Sequence, residues 1–233
     1  IPKESFQAKW YFKTPDALLE AVVPKSGVAF DEKQVYLGSD KGVVYALSRL
    51  DGSVVWQHRI GLGPWGSKRD KEIFSTPVLH AGRLYFGAYD GNIFSVEAET
   101  GQLPVVSFEA YRITGSPVID AASGRLHVPS VFGGQKNQGG IVALDILSGK
   151  AAWRTRFSSP LRSTPLFFEQ KQRLFVGDES GTVSCMDSET GRILWNFQTG
   201  GAIKDAPVYD ERSEAIIFSS FDGSVYKVTI ETG

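Results

Sequence analysis

The chain has one cysteine, one methionine and three histidines in 233 residues, and each scarcity removes a class of chemistry. A single Cys185 excludes an internal disulfide and a zinc site built on several thiolates. It lies inside a repeated strand, where a thiol packs as a small hydrophobe. His58, His80 and His127 fall on different strands, so no histidine cluster for a metal or for general-base work is expected. An excess of one charge is missing too. Twenty-five basic residues against 26 acidic ones leave a net charge of -1, which provides no field for nucleic acid or an anionic membrane. No apolar run reaches the roughly 18 residues of a membrane-spanning helix. The opening IPKESFQAKW has neither the basic nor the apolar region of a leader peptide. That opening suits a mature exported chain, a cytosolic protein or a domain of a longer one.

What the chain does have is a repeat. Gly181 to Trp195, GTVSCMDSETGRILW, reads as two strands around a tight turn, and the same plan recurs at 42–56, 91–105, 139–153 and 223–233. The turn glycines Gly52, Gly101, Gly149, Gly191 and Gly233 are spaced by 49, 48, 42 and 42 residues. Periods of this size indicate an array or a propeller. Short runs rich in Val, Ile, Phe and Tyr, separated by Gly and Asp turns, predict four strands per repeat and no helix of note. Trp10, Trp56, Trp153 and Trp195 share one position in the repeat, as packing residues would. The segment ending at Lys13 resembles a last strand with no repeat before it, and the chain stops at IETG where such a strand is due. The expectation is therefore all-β: one five-bladed β-propeller of four-stranded antiparallel blades. Blades are placed near 16–60, 74–109, 114–158, 162–199 and 203–231, with residues 5–13 completing the last blade and closing the ring.

The [DE]-x-x-[TS]-G turn followed by a strand ending in Trp, as in ALDILSGKAAW and CMDSETGRILW, resembles the repeat of the PQQ-like β-propeller superfamily, of quinoprotein and BamB type. Nearly the whole chain carries it. The resemblance implies the propeller fold and a bacterial, periplasmic or exported setting. It leaves function open between quinoprotein dehydrogenases and non-enzymatic assembly factors, because the motif is scaffold. Relatives of this kind usually have seven or eight blades, and quinoprotein alcohol dehydrogenases carry a vicinal cysteine pair that one cysteine cannot provide.

Loop lengths single out one face. The connection 61–74, GLGPWGSKRDKEIF, and the loop 131–140, VFGGQKNQGG, both fall on it, while the turns on the other face are short. Trp65 is the tryptophan that the repeat does not explain. With Lys68, Arg69 and Phe74 it forms a candidate anchor for a partner, joined by Arg112, Phe132 and Gln135, the alternative being that Trp65 folds back to cover the channel mouth. A second candidate is the set of residues just before each innermost strand, where Phe74, Thr114, Arg162 and Lys204 align, with Glu20 near the same level. Arg162 and Lys204 with neighbouring hydroxyls, and Arg112 beside them, suit an anionic small ligand. The plainer alternative has Glu20 and Asp205 pairing with these bases while the hydroxyls satisfy strand-end backbone groups. Asp40, Asp90, Asp178, Glu179 and Asp222 are turn residues and not a metal ring.

The function expected is non-catalytic: a protein-binding or scaffolding propeller using the face with loops 61–74 and 131–140, monomeric, without a cofactor or metal. The alternative is a quinoprotein-like oxidoreductase, or an anionic small-ligand binder, at the channel mouth. A third is a hydrolase with Glu20 and Asp205 as acid and base.

Overall fold

The computed structural model describes residues 8–14, 26–60, 72–102, 112–132 and 138–232. Within them the helical content is one 3-10 turn, Glu169–Lys171, and the strands form five antiparallel sheets in chain order. The first holds β1 (Ala29–Phe30), β2 (Gln34–Gly38), β3 (Val43–Ser48) and β4 (Val54–Arg59). The second holds β5 (Val78–His80), β6 (Arg83–Gly87) and β7 (Ile93–Glu97). Its expected outer strand, QLPVVSF, lies largely outside the described residues. The third holds β8 (Val118–Asp120), β9 (Arg125–Phe132), β10 (Gln138–Asp145) and β11 (Ala151–Phe157). The fourth holds β12 (Leu166–Phe168), β13 (Arg173–Gly177), β14 (Thr182–Asp187) and β15 (Ile193–Gln198). The fifth holds β16 (Val208–Asp210), β17 (Ala215–Ser219) and β18 (Val225–Thr229). The four strand positions of a sheet are called A to D below.

The C–D turns explain the repeated motif. Asp145 Oδ1 accepts the Ser148 amide and hydroxyl, both at 2.7 Å, and Asp187 Oδ1 accepts the Thr190 amide at 2.9 Å and hydroxyl at 2.7 Å. The carboxylate thus ties down the hydroxyl residue just before the turn glycine, which takes a φ of 68° at Gly149 and 73° at Gly191. In each complete C–D hairpin the register then skips one residue just before the tryptophan. Ala46 faces Trp56 but Leu47 faces Val54, Ala143 faces Trp153 but Leu144 faces Ala151, and Cys185 faces Trp195 but Met186 faces Ile193. A bulge at this place re-aims the indole towards the next sheet.

There it acts as a latch. Trp56 Nε1 donates to the Ala98 carbonyl at 2.8 Å, Trp153 Nε1 to Ser188 at 3.0 Å and Trp195 Nε1 to Ile230 at 3.2 Å, each acceptor being at the end of the following sheet's C strand or just beyond it. The ring covers the turn glycine, and a Cβ on Gly101 would sit 2.8 Å from the Trp56 ring. Trp10 does the same to the first sheet, donating to Arg49 O at 3.2 Å over Gly52, with Phe12 against Tyr45. Trp10 therefore meets the first sheet as Trp56, Trp153 and Trp195 meet the sheets that follow theirs. Residues 8–14 are not themselves in strand, and among the described residues β18 pairs only with β17.

The inner strands are joined by hydroxyls. Gly27 N donates to Thr76 Oγ1 at 2.9 Å, Thr76 N to Ser116 Oγ at 2.8 Å and Ser116 N to Thr164 Oγ1 at 3.1 Å, stepping from sheet to sheet. The serines before Thr76 and Thr164 bind their own sheets, whereas Ser26 before Gly27 donates to Ser75 O at 3.0 Å. Ser75 Oγ and Ser163 Oγ donate to Gly87 O and Gly177 O at 2.8 and 2.7 Å and accept the same glycines' amides. In the third sheet the pair becomes Gly115 and Pro129, where a Cβ on Gly115 would lie 2.7 Å from the proline ring. The core lies between the sheets. Val44, Ile60, Ile73, Phe86 and Phe94 form one cluster across the first two, and Phe175, Cys185, Ile203 and Phe218 another across the last two. Burial pushes the Cys185 thiol up to about 12, as a structural thiol requires.

One expectation is corrected. The predicted loop 131–140 is strand at both ends, since β9 and β10 run on to pair Val131 with Gly139 and Phe132 with Gln138, and residues 133–137 between them lie outside the described residues. Gly139 and Gly140 are there for close approach and not for loop freedom: a Cβ would run into Ser159 O on the first and the Phe132 ring on the second. Among the described residues the first sheet's inner strand is Ala29–Phe30, and residues 15–25, at the start of the expected first blade, lie outside the described residues.

Candidate functional site

One rim of the sheets gathers the residues entering each A strand and the tips of the B–C turns. In the second sheet Phe74 meets Tyr89 edge-on, ring centroids 5.3 Å apart, and the Arg112 guanidinium from the next connection lies 4.5 Å from the Tyr89 ring centroid. Arg112 is held by its backbone, donating to Val131 O at 3.1 Å and accepting the Val131 amide at 2.8 Å. In the fourth sheet Arg162 Nε is 2.6 Å from Glu179 Oε1, both half-buried. In the fifth Lys204 Nζ lies 4.7 Å from the centroid of Phe221, which is 69% exposed.

Phe74, Arg112, Arg162 and Lys204 thus share this rim, each against a B–C turn residue. Phe132 ends β9 with the Arg156 guanidinium over its ring at 5.7 Å. Trp65, Lys68, Arg69 and Gln135 fall outside the described residues, as does Glu20. Tyr89 and Phe221 are the partners that loop-length reasoning missed. Aligning GAYDG with SSFDG would have found them, because both put an aromatic residue before the Asp-Gly turn.

The electrostatics of the rim follow the turns. Asp178 Oδ1 accepts from Ser180 N, Ser180 Oγ and Thr182 N. The Tyr226 hydroxyl and the Gly200 and Ser224 amides bond Asp222 and hold its carboxyl down to about 2. Asp205, expected with Glu20 to pair with the rim bases, instead accepts from Ser219 Oγ at 3.0 Å, while Arg162 pairs with Glu179 and Lys204 lies over Phe221. Among the described residues no three His, Cys, Asp or Glu side chains come together as a metal site would need. No described helix is long and apolar enough to cross a membrane.

Successive antiparallel sheets, the first, third and fourth latched by an indole to the next and the rim carrying aromatic and cationic groups, define a β-propeller-type protein of the PQQ-like repeat class. The chain belongs to the family described as outer membrane protein assembly factor BamB, whose model matches residues 3–128 and 137–233. It is 26% identical over 194 residues to polyvinylalcohol dehydrogenase of Pseudomonas sp, covering 76% of this chain and 28% of that protein. It is also 26% identical over 221 residues to outer membrane protein assembly factor BamB of Escherichia coli (strain K12), covering 76% of this chain and 53% of that protein. The structure of BamB from Moraxella catarrhalis superposes with a TM-score of 0.66 at 23% identity, over 85% of this chain and 56% of that one, a likeness of fold. The chain spans about a quarter to a half of the length of these curated relatives.

Proposed function

We propose that the chain is a non-catalytic, protein-binding propeller in an exported setting, recognising its partner through the rim that carries loop 61–74 and the 133–137 connection. The observation that carries this is the Phe74–Tyr89–Arg112 stack, which lies between the two connections and is pinned to β9 through Val131. Tyr, Phe and Arg are the side chains that dominate binding energy at protein interfaces. Substituting Tyr89→Ala or Arg112→Glu should abolish retention of a partner from a bacterial envelope extract while leaving the melting temperature within about 2 °C. Equal retention by the parent and both variants would sink the reading.

The second reading is a quinoprotein-like oxidoreductase, favoured by the dehydrogenase relative. The described rim does not fit an anionic quinone cofactor. Arg162 is neutralised by Glu179, and the Ser75 and Ser163 hydroxyls are occupied by strand-end glycines. Dye reduction by alcohols on addition of PQQ and calcium would decide for it.

We further take the five sheets as blades of one domain, with residues 8–13 serving as the fifth blade's outer strand. Trp10 supports this by latching the first sheet as Trp56, Trp153 and Trp195 latch theirs. Nitroxide labels at Tyr11→Cys and Lys227→Cys, in a Cys185→Ser background, should then couple as closely as labels on neighbouring strands do. A long separation would mean an open array.

A further inference from the structure

At the opposite end of the sheets from that rim, one position departs from the repeat. The first residue of the B strand is Arg83 in β6, Arg125 in β9 and Arg173 in β13, but Gln34 in β2 and the short Ala215 in β17, so Gln34 is the polar departure. Across the ladder these arginines face Glu97, Asp145 and Asp187, whereas Gln34 faces Ser48. The arginines use the position in two ways. Arg125 Nη1 reaches into the next sheet and donates to Glu189 O at 2.9 Å. Arg83 and Arg173 approach their facing carboxylates at 3.8 and 3.7 Å. In the first sheet both members of the pair are replaced by shorter, uncharged side chains.

A cavity of about 380 Å³ opens there, between the first and second sheets, lined by Asp31, Glu32, Gln34, Gly82, Ala98 and Glu99, with Lys33 as its one cation. Glu99 is the counterpart of Glu189, the residue whose carbonyl Arg125 reaches. Gln34 is only 9% exposed, and its Oε1 accepts no hydrogen bond from any described residue. A buried acceptor without a donor is costly to keep. Asp31 is held in place by the Lys33 and Gln34 amides and by the Tyr36 hydroxyl. Arg49 donates to the Asp31 carbonyl and lies over Phe30, and it is not part of the lining. The cavity therefore presents acceptors and three carboxylates against one ammonium, at the spot where the second, third and fourth sheets start their B strands with an arginine.

We propose that this cavity binds a guanidinium group supplied by another molecule, either the arginine side chain of a peptide segment or a free guanidino compound. The planar group offers five N–H donors and no acceptor, which matches an unmet Gln34 Oε1, the Glu99 carbonyl and the surrounding carboxylates. The site is independent of the rim, and each can fail without the other.

The test is a titration at low ionic strength, followed by calorimetry and by the Gln34 side-chain amide resonance. Probes are N-acetyl-arginine amide, its neutral isostere N-acetyl-citrulline amide, agmatine, and an acetyl-Gly-Arg-Gly amide peptide. Arginine amide should saturate, with citrulline amide at least about tenfold weaker. Binding should vanish in Gln34→Arg, which fills the cavity from within and should raise the melting temperature. Glu99→Gln, a surface change that leaves packing intact, should weaken binding several-fold. A peptide binding more tightly than agmatine identifies a protein source, and the reverse a free compound. Absence of saturation in the parent protein, equal binding of citrulline amide, or unchanged binding in both variants would overturn the proposal.

Discussion

Replacing Trp56 by alanine should lower the unfolding free energy by about 3 kcal/mol, the lower end of what removing a large core aromatic costs, because this indole is only partly buried. Three contributions are lost together: contact with the Val44, Phe86 and Phe94 cluster and with Tyr36, cover over the Gly101 turn, and the 2.8 Å hydrogen bond to Ala98 O. Trp56→Phe isolates the last, and should cost about 1 kcal/mol from the hydrogen bond alone. Gly101→Ala attacks the same latch from the other side, because the residue sits at φ 72° and its new methyl would meet the Trp56 ring. The double variant should be less unstable than the sum of the single ones, since without the indole the methyl has nothing to strike. Urea denaturation of the four proteins measures this cycle. Strict additivity would mean that ring and turn are energetically unconnected.

The second large effect is a response to acid. His127 is fully buried between Trp153 and Phe167, with centroids 5.5 and 5.7 Å away, and neither ring nitrogen has a hydrogen-bond partner among the described residues. Burial pushes its pKa down to about 4, with Asp120 pulling up and Arg125 pushing down as weaker influences. The native imidazole is then neutral at a pH where the unfolded chain's, with an ordinary value of 6.5, takes up a proton. Between these values the unfolded state binds more protons, so stability falls as the pH drops from 6.5 towards 4 and is level above 6.5. The loss attributable to this residue is about 3 kcal/mol at the acid end. The repeat itself suggests the replacement, since the same position holds Tyr36, Tyr85 and Phe175 in the first, second and fourth sheets and Ile217 in the fifth. His127→Phe should be more stable than the parent at pH 5 by more than it is at pH 7.5. An equal gain at both would assign the acid sensitivity elsewhere.

The described B, C and D strands, apart from the longer β9 and β10, were legible almost to the residue because each is a short β-branched and aromatic run bounded by glycine turns, B and C mostly buried in the first four sheets and D alternating, and needs no knowledge of its neighbours. The inner strands were less so. Val78–His80 and Leu166–Phe168 are three residues long, and the hydroxyls of Ser116 and Thr164 join neighbouring inner strands in place of a ladder. Paired glycines misled for a physical reason. Gly139 and Gly140 look like loop, and only the neighbouring strand and connection show that there is no room for a side chain. At the rim, Arg162 and Lys204 were found by aligning strand entries, but their partners Glu179 and Phe221 come from a different turn, so the pairing is a property of the folded sheet. Gln34 was visible as a departure from the repeat, yet its meaning depends on Arg125 reaching the next sheet, which no single strand displays.

Because Trp10, Trp56, Trp153 and Trp195 all reach forward along the chain and none of the four reaches back, the row of sheets has a direction, as a filament has two unlike ends. At each of these latches an outer strand is seated by the sheet that follows, while the turn glycines Gly52, Gly101 and Gly191 are capped from the side that precedes them. Trimming from one side therefore strips the cap from a turn and leaves that hairpin's bonds intact, whereas trimming from the other leaves a bare indole. Nicked or permuted forms should differ in solubility according to which kind of end they expose, even where the number of intact sheets is the same.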